Sequence, residues 1–118
     1  MPRFGLTKSD DNTGRVLTFA KLTPAYAASV TIVPNAAKTY VLPADLTGAL
    51  SLVATVTSSQ DCDELVCVFK ASAANRVVTF STGFATAGTL TVLSGKSGSV
   101  SFIFNGTAFV ERGRALEA

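Results

Sequence analysis

The sequence has no histidine and no tryptophan, and only two cysteines among its 118 residues. Histidine is the side chain that most often exchanges a proton near neutral pH, so its absence removes the commonest general base. Cys62 and Cys67 have no histidine partner that could activate them as nucleophiles, and two thiols are too few for a structural zinc site. The composition therefore predicts a protein that is not an enzyme and that uses no cofactor or metal ion.

Charged side chains are also scarce, at 15% of the residues, whereas about 25% is typical of soluble proteins. Six lie in the first 21 residues and four in the last eight, so the 89 residues from Leu22 to Val110 hold only eight. Hydrophobic residues make up 47% of the sequence, and a chain this small cannot bury all of them in its own core. Association with other protein would cover the remainder, so we expect a homo-oligomer.

Two classes of partner are disfavoured by the charge and hydropathy patterns. The net charge is only +2, and lysine and arginine are scattered among acids instead of clustering with aromatic residues, so no nucleic-acid partner is predicted. The apolar runs are interrupted well before the about 18 residues of a membrane span, so no membrane partner is predicted. The amino-terminal residues lack the apolar run of a secretion signal, which predicts synthesis and assembly in the cytoplasm.

Short apolar alternations separated by turn residues are typical of β-strands, and no segment has the periodicity of a helix. The predicted fold class is all-β: an antiparallel β-sandwich or jelly-roll-like barrel with an extended N-terminal arm. The arm is expected over residues 1–28, the sandwich or barrel domain over 29–112 and a C-terminal tail over 113–118. The predicted strands are 29–33, 38–42, 49–57, 65–70, 76–80, 89–93, 99–104 and 107–111.

Within these strands the alternation predicts which side chains face the core. The inner positions are expected at Leu50, Leu52, Ala54 and Val56, at Leu65, Cys67 and Phe69, and at Val100, Phe102 and Phe104.

Asn105-Gly106 predicts a two-residue type I′ hairpin, because asparagine and glycine best tolerate the positive φ that this turn needs.

The predicted arm is open to two interpretations. Its polar sequence, with few aromatic residues, could become ordered only on a neighbouring protein, because it cannot bury enough area to offset its conformational entropy. Alternatively, part of it could add an edge strand to its own domain. The sequence does not decide between them.

Three other features have a structural and a functional interpretation. Cys62 and Cys67 are five residues apart, which places them on opposite faces of a strand and predicts two free thiols. Asp61, Asp63 and Glu64 could supply oxygens to a calcium ion, although a solvated turn is the simpler explanation. Phe84, in a predicted loop, could contact a glycan, or it could plug the end of the barrel or a subunit seam.

The stretch from Gly95 to Val110, with its Gly-Lys-Ser turn, apolar strand, Asn-Gly-Thr turn and Phe-Val, resembles the closing hairpin of β-rich structural proteins of tailed-phage virions. Thr39 to Ala44 is similar in character. The resemblance implies a phage capsid decoration (cement) protein, commonly a homotrimer, that binds the major capsid protein on the outer surface of the virion and stabilises the shell. The alternatives are a head-fibre or tail-fibre component that binds a host surface, and a carbohydrate-binding module.

Under this hypothesis the N-terminal arm reaches across the capsid, and a small set of residues is expected to contact the capsid or a neighbouring subunit. These residues are Arg3, Phe4, Arg15, Val16, Phe19 and Phe84.

Overall fold

The computed structural model describes residues 18–86 and 88–117, and every regular element in these ranges is a β-strand. The predicted all-β class is therefore confirmed, and each of the eight predicted strands has a counterpart. The strands are β1 (Phe19–Leu22), β2 (Ser29–Ile32), β3 (Lys38–Val41), β4 (Leu50–Ala54), β5 (Glu64–Ala71), β6 (Arg76–Phe80), β7 (Phe84–Ala85), β8 (Leu90–Val92), β9 (Lys96–Phe104) and β10 (Phe109–Leu116).

The strands form two sheets, and through β6 the chain alternates between them. One sheet has six strands in the order β1-β3-β5-β9-β10-β7, and the other has four in the order β2-β4-β6-β8. Successive strands within each sheet pair in parallel from β1 to β5 and from β2 to β6. Each pass of the chain therefore adds one rung to both sheets, which is the winding of a β-solenoid.

The expected antiparallel sandwich or barrel is wrong for this part of the chain. Alternating inward and outward residues are produced equally by a parallel coil and by an antiparallel hairpin, so the alternation does not distinguish them. The connections do: the chain crosses between the sheets through Pro34-Asn35 and through Pro43-Ala44, without a two-residue hairpin turn.

Antiparallel pairing occurs where the coil ends. β9 pairs with both β5 and β10, and β6 pairs with β8. The predicted hairpin after Phe104 is present, but it is a four-residue loop closed by the Phe104–Phe109 pair, so the two-residue type I′ turn is wrong. Asn105 instead accepts hydrogen bonds at Oδ1 from the amides of Thr107 and Ala108, both at 2.9 Å, while Gly106 has a φ of 97°.

The core lies between the two sheets and contains the predicted inner positions, except that Val56, beyond the end of β4, is only half-buried. The inner positions on β4, β5 and β9 are all at most 5% exposed, and burying a large apolar side chain stabilises a fold by about 1.5–3 kcal/mol. One end of the core is aromatic: rings from β5, β6, β7, β9 and β10 pack together with centroids 5.0–6.4 Å apart. The aromatic cluster consists of Phe69, Phe80, Phe84, Phe102, Phe104 and Phe109.

The observed strands cross both predicted boundaries. β1 lies in the predicted arm yet forms an edge of the six-stranded sheet, in agreement with the edge-strand interpretation for residues 19–22. Tyr26 fixes the chain after β1 by donating a hydrogen bond from its hydroxyl to the Ala49 carbonyl oxygen at 2.8 Å. At the other end, β10 continues to Leu116, beyond the expected start of the tail.

Thr39 carries a buried hydroxyl that makes no hydrogen bond to the described residues. It lies on β3 at 1% exposure, and its Oγ1 has no partner. A buried hydroxyl that has lost water without gaining a partner destabilises the folded state, and valine has nearly the same shape without the polar atom. We expect Thr39→Val to raise the free energy of unfolding by about 1–2 kcal/mol.

Urea denaturation measures this change, and Thr91→Val is the matched control because Thr91 is exposed. The control should lie within about 0.5 kcal/mol of the wild type. A loss of stability in Thr39→Val would show that the hydroxyl has a partner in solution.

Candidate interaction surface

The outer surface of the four-stranded sheet carries no charged side chain. Register places Ser29, Ser51 and Thr79 in one row across three strands, and Thr31 beside Val53 in another. The one charged residue of these four strands, Arg76, pairs with buried Val92 and so lies on the opposite side of the sheet. We call this surface the uncharged face; it comprises Ser29, Thr31, Ser51, Val53, Val77, Thr79 and Thr91.

The outer surface of the six-stranded sheet combines apolar side chains with an excess of cations. One row across its strands runs from Phe19 through Lys38 and Glu64 to Ile103 and Val110. Four cations, on Lys21, Lys38, Lys70 and Arg112, accompany two carboxylates, on Glu64 and on Glu117, which follows β10 and lies beside Ser97 in the row of Lys70. We call this surface the basic face; it comprises Phe19, Lys21, Lys38, Tyr40, Glu64, Val66, Val68, Lys70, Ser97, Ser99, Ser101, Ile103, Val110, Arg112 and Glu117.

Glu64 is shared by two cations of the basic face. Its Oε1 lies 3.7 Å from Lys38 Nζ and 3.6 Å from a guanidinium nitrogen of Arg112. All three side chains are at least 30% exposed, so these pairs contribute little to stability. Their consequence is electrostatic: one carboxylate cannot neutralise two cations, and the face keeps a positive field that attracts acidic surfaces.

β1 and β2 are the outermost strands at one end of the two sheets, and we call this the open end. The amides of Lys38 and Leu42 donate hydrogen bonds to the carbonyl oxygens of Thr18 and Leu22. The backbone N–H and C=O groups of the even-numbered residues of β1 therefore face β3. The amides of Phe19 and Lys21 point the other way. The same alternation on β2 directs the Thr31 amide away from β4. No described strand pairs with these edges.

The opposite end of the coil is protected. Ser101 pairs with Gly113 and Phe102 with Glu111, so Arg112 is an extra residue that makes a β-bulge in β10. Bulges, charged side chains and very short edge strands all hinder edge-to-edge pairing. β10 has the bulge and three charged residues, and its outer edge is covered in part by the two-residue strand β7. We call this the closed end.

An ion pair also fastens the closed end. Arg114 Nε lies 2.6 Å from Glu111 Oε2, and Arg114 Nη2 donates to Glu111 Oε1 at 2.7 Å. The hydrogen bonds to this carboxylate raise the pKa of Arg114. The same guanidinium donates to the carbonyl oxygens of Thr89 and Gly88, at 2.9 and 3.3 Å. Arg114 therefore joins the six-stranded sheet to the segment that leads into β8.

The end of β10 is held by a carboxylate. Glu117 Oε1 accepts hydrogen bonds from the Ser97 amide at 2.8 Å and from its hydroxyl at 3.2 Å. These bonds, the amide first, lower the pKa of Glu117. The charged tail that the sequence suggests therefore continues the sheet at the start of β9.

The predicted contact residues lie in different environments. Phe19 is 70% exposed on β1, where the basic face meets the open end. Phe84 is half-buried in the aromatic cluster, with its ring centroid 5.3 Å from that of Phe80 and 5.0 Å from that of Phe102. It fills the interior instead of presenting a ring to solvent. Arg3, Phe4, Arg15 and Val16 lie outside the described residues.

The acidic turn does not gather its carboxylates. The carboxylate of Asp63 is buried and accepts the Gln60 amide at 2.9 Å, whereas Glu64 points onto the basic face and Asp61 lies beside Gly106. In the part of the chain that the structure describes, no cluster of three or more potential ligand residues could hold a metal ion.

Both thiols are free, as predicted. Cys67 is fully buried on β5, and burial raises its pKa far above the ordinary thiol value, so it acts as a small apolar core residue. Cys62 is exposed in the turn before β5 with a φ of 69°.

Comparison of the chain with protein-family models and with curated proteins finds no match. The described ranges include no helix that could span a membrane. The arguments for function therefore rest on the two faces and the two ends of the coil. Sequence reasoning found the scarcity of charge but not its segregation onto one face, because that requires knowing which sheet each strand joins.

Proposed function

We propose that this chain is a non-catalytic structural protein that associates with itself through the uncharged face and stabilises a larger assembly, as a phage capsid decoration protein does. The observation that carries the proposal is that the outer surface of an entire four-stranded sheet has no charged side chain. Soluble monomers normally keep charges of both signs on such a surface. Its serine, threonine and valine side chains are suited to packing against protein.

The basic face supplies a second and chemically different contact. Its branched apolar residues Val66, Val68 and Ile103 offer area for burial, and its excess cations select an acidic partner surface. Under the proposal, copies join through the uncharged face, and the basic face rests on the major capsid protein. Because the two contacts use opposite sheets, one molecule can make both at once.

Stabilisation would follow from mass action. A protein that binds only the assembled shell lowers the free energy of that state by RT ln(1 + [L]/Kd), which is about 2.7 kcal/mol per site at a concentration a hundred times the Kd. No catalytic group is needed. The fibre alternative depends on an exposed aromatic ring at Phe84, and the packing of that ring in the aromatic cluster gives it no support.

The test uses virions of the phage that encodes this chain, prepared with and without the protein. Adding purified protein back to depleted particles should raise the temperature at which DNA is released. Lys21→Glu, on the basic face, should weaken binding to the particles, whereas Lys96→Glu should not, because Lys96 pairs with buried Ala71 and lies off that face. Particles that melt at the same temperature with and without the protein would contradict the proposal.

Self-association is tested on the free protein by light scattering. Thr79→Lys places a charge in the middle of the uncharged face on β6, an interior strand whose backbone is already paired on both sides. We expect the wild type to be oligomeric and Thr79→Lys to lower its mass. A wild-type monomer would contradict the role of the uncharged face.

A further inference from the structure

The two ends of the coil differ in how readily another strand can pair with their edge strands. The closed end has a β-bulge at Arg112, the Glu111–Arg114 pair and the short covering strand β7, all of which block an incoming strand. At the open end, β1 and β2 are four-residue strands without a bulge, and Lys21 is their only charged residue. The fold therefore hinders pairing along β10 at the closed end, where the other sheet ends in the three-residue strand β8, and leaves pairing possible at the open end.

We propose that the open end pairs with the open end of a second copy of this chain, so that both sheets continue across the junction. A two-fold axis perpendicular to the coil brings identical edges together, and the pairing it produces is antiparallel and isologous. The donors are the outward-directed amides of Phe19, Lys21 and Thr31. This contact uses the ends of the sheets and so is separate from the uncharged face, although it extends the self-association proposed above.

The side chains at the open end favour a second copy over other occupants. Pairing centred on Ala20 sets Lys21 opposite Phe19 of the other copy, so the lysines avoid each other and each ammonium can lie against an aromatic ring. Phe19 and Val33 are 70% and 46% exposed, and the junction would bury part of their apolar surface away from water. The chain's own preceding sequence is a poor substitute: 22 residues before β2, which is the offset between β2 and β4, it reads Thr7-Lys8-Ser9-Asp10, a polar and charged stretch that is not typical of a strand.

Proline substitution tests the junction without breaking the ladder inside the chain. Proline removes an amide donor, and at Lys21 and Thr31 that donor faces away from the neighbouring strand. We expect Lys21→Pro and Thr31→Pro, measured in the full chain by sedimentation velocity, to weaken end-to-end association by about tenfold to a hundredfold and the double variant to halve the mass. Circular dichroism checks that the variants keep their strands.

The matched controls are Lys21→Ala and Thr31→Ala, which alter the same side chains but keep the amides. They should retain the wild-type mass. If an alanine variant dissociates as fully as its proline counterpart, the side chains and not the strand edges hold the copies together, and the proposal fails. It also fails if the wild type has an odd number of copies, or if the proline variants keep its mass.

Amide hydrogen exchange tests the remaining possibility, that a segment of the same chain pairs with the open end. A monomer with slowly exchanging Lys21 and Thr31 amides would show that the chain covers its own edge, which overturns pairing with a second copy. Thr79→Lys distinguishes this proposal from the preceding one. It should disrupt only the contact through the uncharged face, and adding the proline substitutions to Thr79→Lys should then halve the mass of the oligomer that remains. Failure to bind a capsid would leave the masses, and hence this test, unaffected.

Discussion

Phe102→Ala is expected to lower the free energy of unfolding by about 3–5 kcal/mol, the usual cost of truncating a buried phenylalanine. Phe102 is completely buried on β9, and its ring lies 5.3 Å from that of Phe80 and 5.0 Å from that of Phe84. Removing the ring leaves a cavity in the aromatic cluster between the two sheets. The loss is a large share of the about 5–15 kcal/mol that stabilises a typical domain.

Phe19→Ala is the matched control, because the same atoms are removed from a ring that is 70% exposed. With both variants made in the Lys21→Pro/Thr31→Pro background, so that the junction proposed above makes no contribution, it should change the free energy of unfolding by less than about 0.5 kcal/mol. Both variants are compared with that background by urea denaturation at one protein concentration, since association adds to apparent stability. Equal losses in the two variants would mean that the aromatic cluster does not form the core of the folded protein.

The inner face of each strand could be predicted because burial imposes a two-residue period. Leu65, Cys67 and Phe69 follow this period, and all three are fully buried. The same period gave no information on pairing, because it is identical in a coil and in a hairpin. The connections carried that information: Asn105-Gly106 is the strongest hairpin signal in the sequence, and a hairpin is present there, although its loop has four residues and not the predicted two.

The alternation of apolar and polar residues could not predict two local features, the short strand β7 and the bulge in β10. β7 is only two residues long, too short to show any alternation, so Phe84 was assigned to a loop although it pairs with Phe109. The bulge at Arg112 shifts the register of β10, which interrupts its alternation and made the charged sequence after Glu111 look like a tail. Both features depend on the neighbouring strand and not on local sequence.

The candidate interaction surface was predictable in its amount of charge but not in its arrangement. Counting showed that charges are few, and association with other protein was expected from it, but counting could not show where the charges lie. Their division between faces depends on β2, β4, β6 and β8 joining one sheet while β1, β3 and β5 join the other. That assignment follows from the winding of the coil, which local sequence did not reveal.

Gly83→Ala is expected to be the most damaging of the small substitutions, with a loss above about 4 kcal/mol. Gly83 has a φ of 93°, a backbone conformation that residues with a side chain rarely adopt, and a Cβ there would overlap the carbonyl oxygen of Ala54. Relieving this overlap would move the turn that joins the two sheets. The Gly83 carbonyl oxygen accepts the Phe109 amide at 2.8 Å, and the neighbouring Thr82 carbonyl accepts the Ala54 amide at 2.9 Å.

Gly88→Ala separates the two causes of that loss. Gly88 also has a positive φ, of 108°, but no atom lies within 4 Å of the position a Cβ would take. Its substitution should cost only the backbone strain, about 1–3 kcal/mol. The difference between the two variants in urea denaturation then measures the steric overlap with Ala54. If Gly83→Ala is no more damaging than Gly88→Ala, the strand ends of β4 and β7 do not approach as closely as the fold requires.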